Sequence, residues 1–127
     1  MKYIYYFIVI SLLFFQCSKK DNSLKGRLME YKSLFKIQND NLLIISMDDC
    51  SSCSSYYKEQ AKNFQESGGA VIVVSKFKKK ANGFLNLKTK NTFHDSLHFS
   101  KKLNLEAGLP VIYHIHKSGK IDSLRLK

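Results

Sequence analysis

The chain has 127 residues, 44% of them hydrophobic, 24% charged and 13% aromatic, with one proline, six glycines and three cysteines. That length and composition describe one domain and exclude collagen, low-complexity disorder, polytopic membrane proteins and solenoid or propeller repeats. The formal net charge of +11 points to acidic partners or a membrane surface and says nothing about fold.

Met1-Lys2 gives a short positive start, and Tyr3 to Phe15 is an apolar run interrupted only by Ser11. This run is too short for a spanning helix, which needs about 20 residues, but fits the about 7–15 of a signal-peptide core. It leads into Gln16, Cys17 and a polar stretch, Ser18-Lys19-Lys20-Asp21-Asn22-Ser23. An apolar core meeting a cysteine and a polar tether resembles a bacterial lipoprotein signal, in which the cysteine is lipidated and becomes the new N-terminus. Phe14, Phe15 and Gln16 stand where a leucine-like residue and two small ones are commoner. That looser box and the Lys, Asn and Ile bias resemble lipoproteins of the Bacteroidota group. The other reading is an export signal, cleaved elsewhere or retained. The expected organisation is a signal peptide over 1–16, a lipidated Cys17 with a flexible tether over 17–24, and one folded domain over 25–127. Removing the first 16 residues leaves 111, with a charge of +10.

Along that domain, Leu24, Leu28, Tyr31, Leu34, Phe35 and Ile37 recur mostly at three and four, which predicts an amphipathic helix ended by Asn39-Asp40-Asn41. The run from Leu42 to Met47 fits a strand covered on both faces. Asp48 and Asp49 follow, then Cys50-Ser51-Ser52-Cys53. Cys53, Tyr57, Ala61 and Phe64 mark one side of a helix that Gly68-Gly69 stops. The CxxC pair is therefore placed at a strand-to-helix turn. Ala70 to Ser75 reads as a second buried strand, parallel to the first.

Lys76 to Thr92 reads as a long variable connection, with a short extended piece at Phe84-Leu85-Asn86-Leu87. Asp95 is expected to cap a helix running to about Leu103. Leu109-Pro110 opens a strand from Val111 to His116, Lys117 to Lys120 turns, and Ile121 to Leu126 returns antiparallel.

This order resembles the thioredoxin fold, and the chain looks like the exported thioredoxin-like reductases of the TlpA type, small lipoproteins among them. The blocks from Leu42 to Cys53 and from Leu109 to Ile121 carry the resemblance, which covers residues 40–126. It implies an α/β domain with a central mixed sheet of about four strands flanked by helices. It also implies that Pro110, preceded by Leu109, forms a cis peptide lying against the CxxC. The sequence departs from the family in three ways: Asp49 stands where an aromatic is usual, the strand from Leu42 to Met47 lacks a carboxylate, and the C-terminal family helix is missing. The helix from Leu24 to Ile37 is the candidate to cover the face that this leaves open.

Disulfide exchange needs an attacking thiolate, a second thiol to resolve the mixed disulfide and an environment that lowers the first pKa. Cys50 is the expected nucleophile and Cys53 the resolving thiol, at a helix N-terminus where activated cysteines show pKa values of about 3.5–7.5. Asp48 and Asp49 oppose a nearby thiolate, which gives a reductant-leaning pair, or they cap the helix; Ser51 and Ser52 act as spacers. Haem attachment fails because Ser54 follows Cys53. A metal site joining Cys50 and Cys53 to His94 and His98, taken as one helix face, is a further alternative, as is a structural disulfide. His114 and His116 share one strand face and read as solvated or hydrogen-bonded. The basic residues from Lys76 to Lys102 read as a solvated face, with attraction to anionic lipid or an acidic partner second; no nucleic-acid module accompanies them.

The sequence thus predicts a thiol-disulfide oxidoreductase of the cell envelope, lipid-anchored and facing the periplasm or cell surface, without a cofactor. Its expected partners are exported cysteine-containing proteins, an upstream thiol electron donor and the membrane. The competing reading is a non-catalytic binding or scaffold lipoprotein that keeps a structural CxxC disulfide and holds a partner in the groove around Pro110.

Overall fold

The computed structural model describes residues 21–48, 54–106 and 108–127. Helix α1 spans Leu24–Phe35. The Ser23 hydroxyl accepts from the Gly26 amide at its start, and Lys36, in the left-handed region, closes it. The two polar ends leave few helical amides and carbonyls without partners. Strand β1 spans Asn41–Ser46, helix α2 Ser54–Glu66, strand β2 Ala70–Val74, helix α3 Lys78–Phe84, strand β3 Thr92–Asp95, helix α4 Phe99–Lys102, and strands β4 and β5 Val111–Ile115 and Ile121–Arg125.

The strands form one mixed sheet in the order β3-β2-β1-β4-β5. β1 pairs parallel with β2, and β2 parallel with β3, whereas β4 runs antiparallel to both β1 and β5. Leu42 to Ile45 of β1 and all of β2 are apolar and buried because both of their faces are covered. Leu42, Ile44, Ala70, Ile72, Val74, Val111 and Tyr113 pack on one face with Leu28 and Tyr31 of α1. Leu43, Ile45, Val71 and Val73 pack on the other with Tyr57 and Ala61 of α2 and with Ala81 and Phe84 of α3.

Three sequence expectations need correction. The sheet has five strands, not about four, because Thr92–Asp95 adds an edge strand beside β2. The expected extended piece at Phe84–Leu87 gives way to α3, whose Ala81 and Phe84 fill the lower core. Asp95 ends β3, and its carboxylate caps α4 as expected, accepting from the Phe99 and Ser100 amides that open this single turn. The Leu109–Pro110 peptide is trans, since the described residues contain no cis bond.

Helix α1 lies on the face opposite α2. On the α2 side the β4–β5 hairpin therefore has no helix over it among the described residues, and His114 is exposed and Leu124 61% exposed there. No helix among the described residues is long and apolar enough to cross a membrane.

Candidate functional site at the carboxyl end of the sheet

Three neighbouring strands run parallel, so the chain leaves β1, β2 and β3 at the same end of the sheet, and β4 begins there. Loops at the carboxyl ends of parallel strands are where open α/β sheets bind ligands, because adjacent connections part there. Asp48 after β1, Ser75 and Lys76 after β2, His98 after β3 and Leu109-Pro110 before β4 share this end.

Asp48 ties the connections after β1, β2 and β3 together. Its Oδ2 accepts from the His98 ring at 2.8 Å and from the Lys76 amide at 3.3 Å, and its Oδ1 from the Ser75 hydroxyl at 3.4 Å and from Lys80 Nζ at 3.5 Å. Partial burial alone would raise the Asp48 carboxyl. The bonds from His98 and Lys76 and the Lys80 charge outweigh that and hold it below the ordinary carboxylate range. A carboxylate can only accept, so His98 Nε2 carries a proton in this bond. The His94 ring Nε2 donates to the Ser75 carbonyl at 2.8 Å, which closes a second link between β2 and β3.

Beside this hub a cleft of about 410 Å³ opens between α2 and α3. It is lined by Met47, Ser55, Lys58, Lys80, Gly83 and Phe84. Its floor is apolar and its walls carry ammonium groups, with Lys58 Nζ donating to the Gly83 carbonyl at 3.3 Å.

Beneath the same end lies a buried carboxylate that the sequence reading took only as a cap. Asp95 is wholly inaccessible and accepts from the Tyr31 hydroxyl at 3.1 Å as well as from the two α4 amides. Burial, reinforced by the Asp95 charge, pushes the Tyr31 phenol well above its ordinary range. The sequence around it, His94-Asp95-Ser96, is polar and gives no signal of burial, and only the fold supplies its partner 64 residues away.

The expected redox centre must be corrected. Cys17, Asp49, Cys50, Ser51, Ser52 and Cys53 all lie outside the described residues. Among the described residues there is no group of three or more His, Cys, Asp or Glu placed to hold a metal. The cluster that does form is a carboxylate with imidazole, amide and ammonium donors, none of them redox-active. Neither a catalytic nor a structural CxxC centre is supported, and the oxidoreductase assignment, with its redox and disulfide attributes, is set aside. The alternative metal set fails on geometry too. His94 sits in β3 and His98 caps α4, so they share no helix face, and each commits its Nε2 elsewhere.

Of the remaining expected site residues, Pro110 is buried in a trans linkage and Leu109 is 45% exposed. His114 and His116 do share a face, their rings 4.3 Å apart edge to face. His114 bonds Asn41, and His116 bonds Asp122 at 2.6 Å, an exposed arrangement as expected of strand histidines. Hydrogen bonds from His116 and Lys120 hold the Asp122 carboxyl below its ordinary range.

The chain is a small α/β domain with a mixed five-stranded sheet flanked by helices. It matches no protein-family model, and no curated protein is significantly similar to it.

Proposed function

We propose that this chain is a non-catalytic binding domain of thioredoxin-like architecture, held at the cell envelope by a lipid on Cys17, that holds an exported protein beside Leu109 and Tyr56. The strand order supports the architecture: β2-β1-β4-β5, with one parallel pair, one antiparallel pair and a closing hairpin, is the arrangement that the sequence resemblance implies. β3 adds an edge to it.

The observation that carries the binding reading is two exposed apolar side chains, one just before a strand and one in the first turn of a helix. Leu109 precedes β4, and Tyr56, 52% exposed, lies in the first turn of α2. Pro110 is buried, its ring fixes its own φ and it confines the preceding Leu109 to extended backbone, so the exposed leucine is presented by stiff backbone. Apolar groups held rigidly in water lower the ordering cost of docking a partner.

A photo-crosslinking residue introduced at Leu109 in cells tests this. A discrete adduct is expected at Leu109, absent when the same residue replaces Leu124, weakened by Tyr56→Lys and unchanged by Cys50→Ser. Equal adducts at the two positions, or loss with Cys50→Ser, would overturn the reading. For the anchor, metabolic labelling with a palmitate analogue should mark the parent chain and not Cys17→Ser, and equal labelling of the two would exclude lipid on Cys17.

A further inference from the structure

Phe77 is the most exposed of the large apolar side chains among the described residues, at 62%. It stands between lysines, in Lys76-Phe77-Lys78-Lys79-Lys80, and all five residues are exposed. The Lys76 ammonium lies 5.9 Å from the Phe77 ring centre, so the ring is flanked by charge and not covered by packing. Leu97, 59% exposed, leaves the same end of the sheet: Val74 of β2 pairs with Asp95 of β3, and Phe77 and Leu97 follow these paired residues by three and two positions. From Lys76 to His94 the sequence holds six lysines, with Lys88 and Lys90 completing the set, and no acidic residue. The Asp48 carboxylate, which bonds this loop through the Lys76 amide, is already engaged by four donors and leaves the loop strongly positive.

We propose that Phe77 and Leu97, ringed by Lys76, Lys78, Lys79 and Lys80, form a docking surface for an anionic lipid bilayer. An aromatic and an aliphatic side chain at the tip of a basic loop match the two layers of such a surface. The ammonium groups meet the headgroup phosphates, and the apolar groups enter the boundary beneath them. A nucleic acid would leave Leu97 without a partner, since an aliphatic side chain offers no stacking plane. Phe77 and Leu97 lie on the β2–β3 side of the sheet end, whereas Leu109 opens β4 on the far side of β1. The proposed contact residues therefore do not include Leu109, which lies two strands away from β2 along the same sheet end. The surface goes beyond the binding reading above and needs no partner protein.

The chain contains no tryptophan, so Phe77→Trp places a unique fluorophore at the contact. The substitution is made in the full chain carrying Cys17→Ser, and folding is checked by circular dichroism. With vesicles of phosphatidylcholine containing phosphatidylglycerol, the emission should shift to shorter wavelength, lose accessibility to iodide and be quenched by brominated acyl chains. Phosphatidylcholine alone should give none of these. Adding Lys78→Glu and Lys79→Glu should weaken the response by more than about tenfold. Because the readout is local to position 77, vesicle binding through the N-terminal apolar run does not imitate it. An indole that stays open to iodide on anionic vesicles, or responds equally to both lipids, would overturn the proposal. Protection by polyglutamate but not by vesicles would also overturn it and assign the loop to an acidic protein.

Discussion

The Asp48 carboxylate and the His98 ring meet at 2.8 Å although 50 residues separate them, one leaving the centre of the sheet and the other its edge. The bond joins the loops after β1 and β3 across the end of β2, and the Lys76 amide on the same oxygen joins the loop between them. Three independent connections are thereby held by one side chain.

The pH dependence of stability follows from the sign of the Asp48 shift. Its folded pKa lies below the unfolded value, so its contribution is fully present above the unfolded carboxylate range, around pH 4, and is lost as pH falls through the folded pKa. His98→Ala removes one of the bonds that lower it. The variant should show a shallower loss of stability below about pH 4 than the parent, with the two curves separated by a nearly constant amount from pH 5 to 6. Urea titrations from pH 2.5 to 6 measure this; identical slopes below pH 4 would exclude Asp48 as the acid-sensitive group.

Tyr31→Phe leaves Asp95 buried with two amide donors instead of three groups. A loss of about 1–3 kcal/mol is expected, with an unchanged denaturant slope. Asp95→Asn should cost more, because its amide nitrogen must face donors that need an acceptor. Equilibrium unfolding of the two variants ranks them, and a loss under about 0.5 kcal/mol for Tyr31→Phe would mean that the buried bond contributes little.

Ile44 is fully buried in the central strand and Leu124 lies exposed on the edge strand. Ile44→Ala should cost about 2–5 kcal/mol, and Leu124→Ala at most about 0.5 kcal/mol. Comparable losses would show that the uncovered side of the hairpin is packed in solution.

Two glycines should respond with opposite signs. Gly68 ends α2 with φ +92, a conformation that costs an L-residue about 1–2 kcal/mol, so Gly68→Ala should destabilise. Gly83 lies inside α3, where an added methyl meets nothing within 4 Å, and Gly83→Ala should stabilise by about 0.5–1 kcal/mol. Thermal melts of the pair decide this.

Most of the frame was legible in the chain. The 3.6-residue spacing of Leu24, Leu28 and Tyr31, the unbroken apolar runs of β1 and β2, the Gly68-Gly69 stop and the hairpin after Pro110 are all local signals, and each element appears within two residues of its expected bounds. β3 escaped because four residues, three of them polar, are too few to show a period. α3 escaped because three lysines and a glycine hide the two positions, Ala81 and Phe84, that face the core.

The sequence by itself determined the apolar pattern, and with it the two-sided burial of β1 and β2, because hydrophobic periodicity is written residue by residue. Its strongest motif, the CxxC, led to an activity that the described residues do not support. Only the tertiary structure decided that Asp48 would meet His98, that Tyr31 would meet Asp95 and that Phe77 and Leu97 would follow paired strands at the same end of the sheet. These pairings depend on strand order and direction, which place residues 20 to 64 positions apart at one end of a sheet.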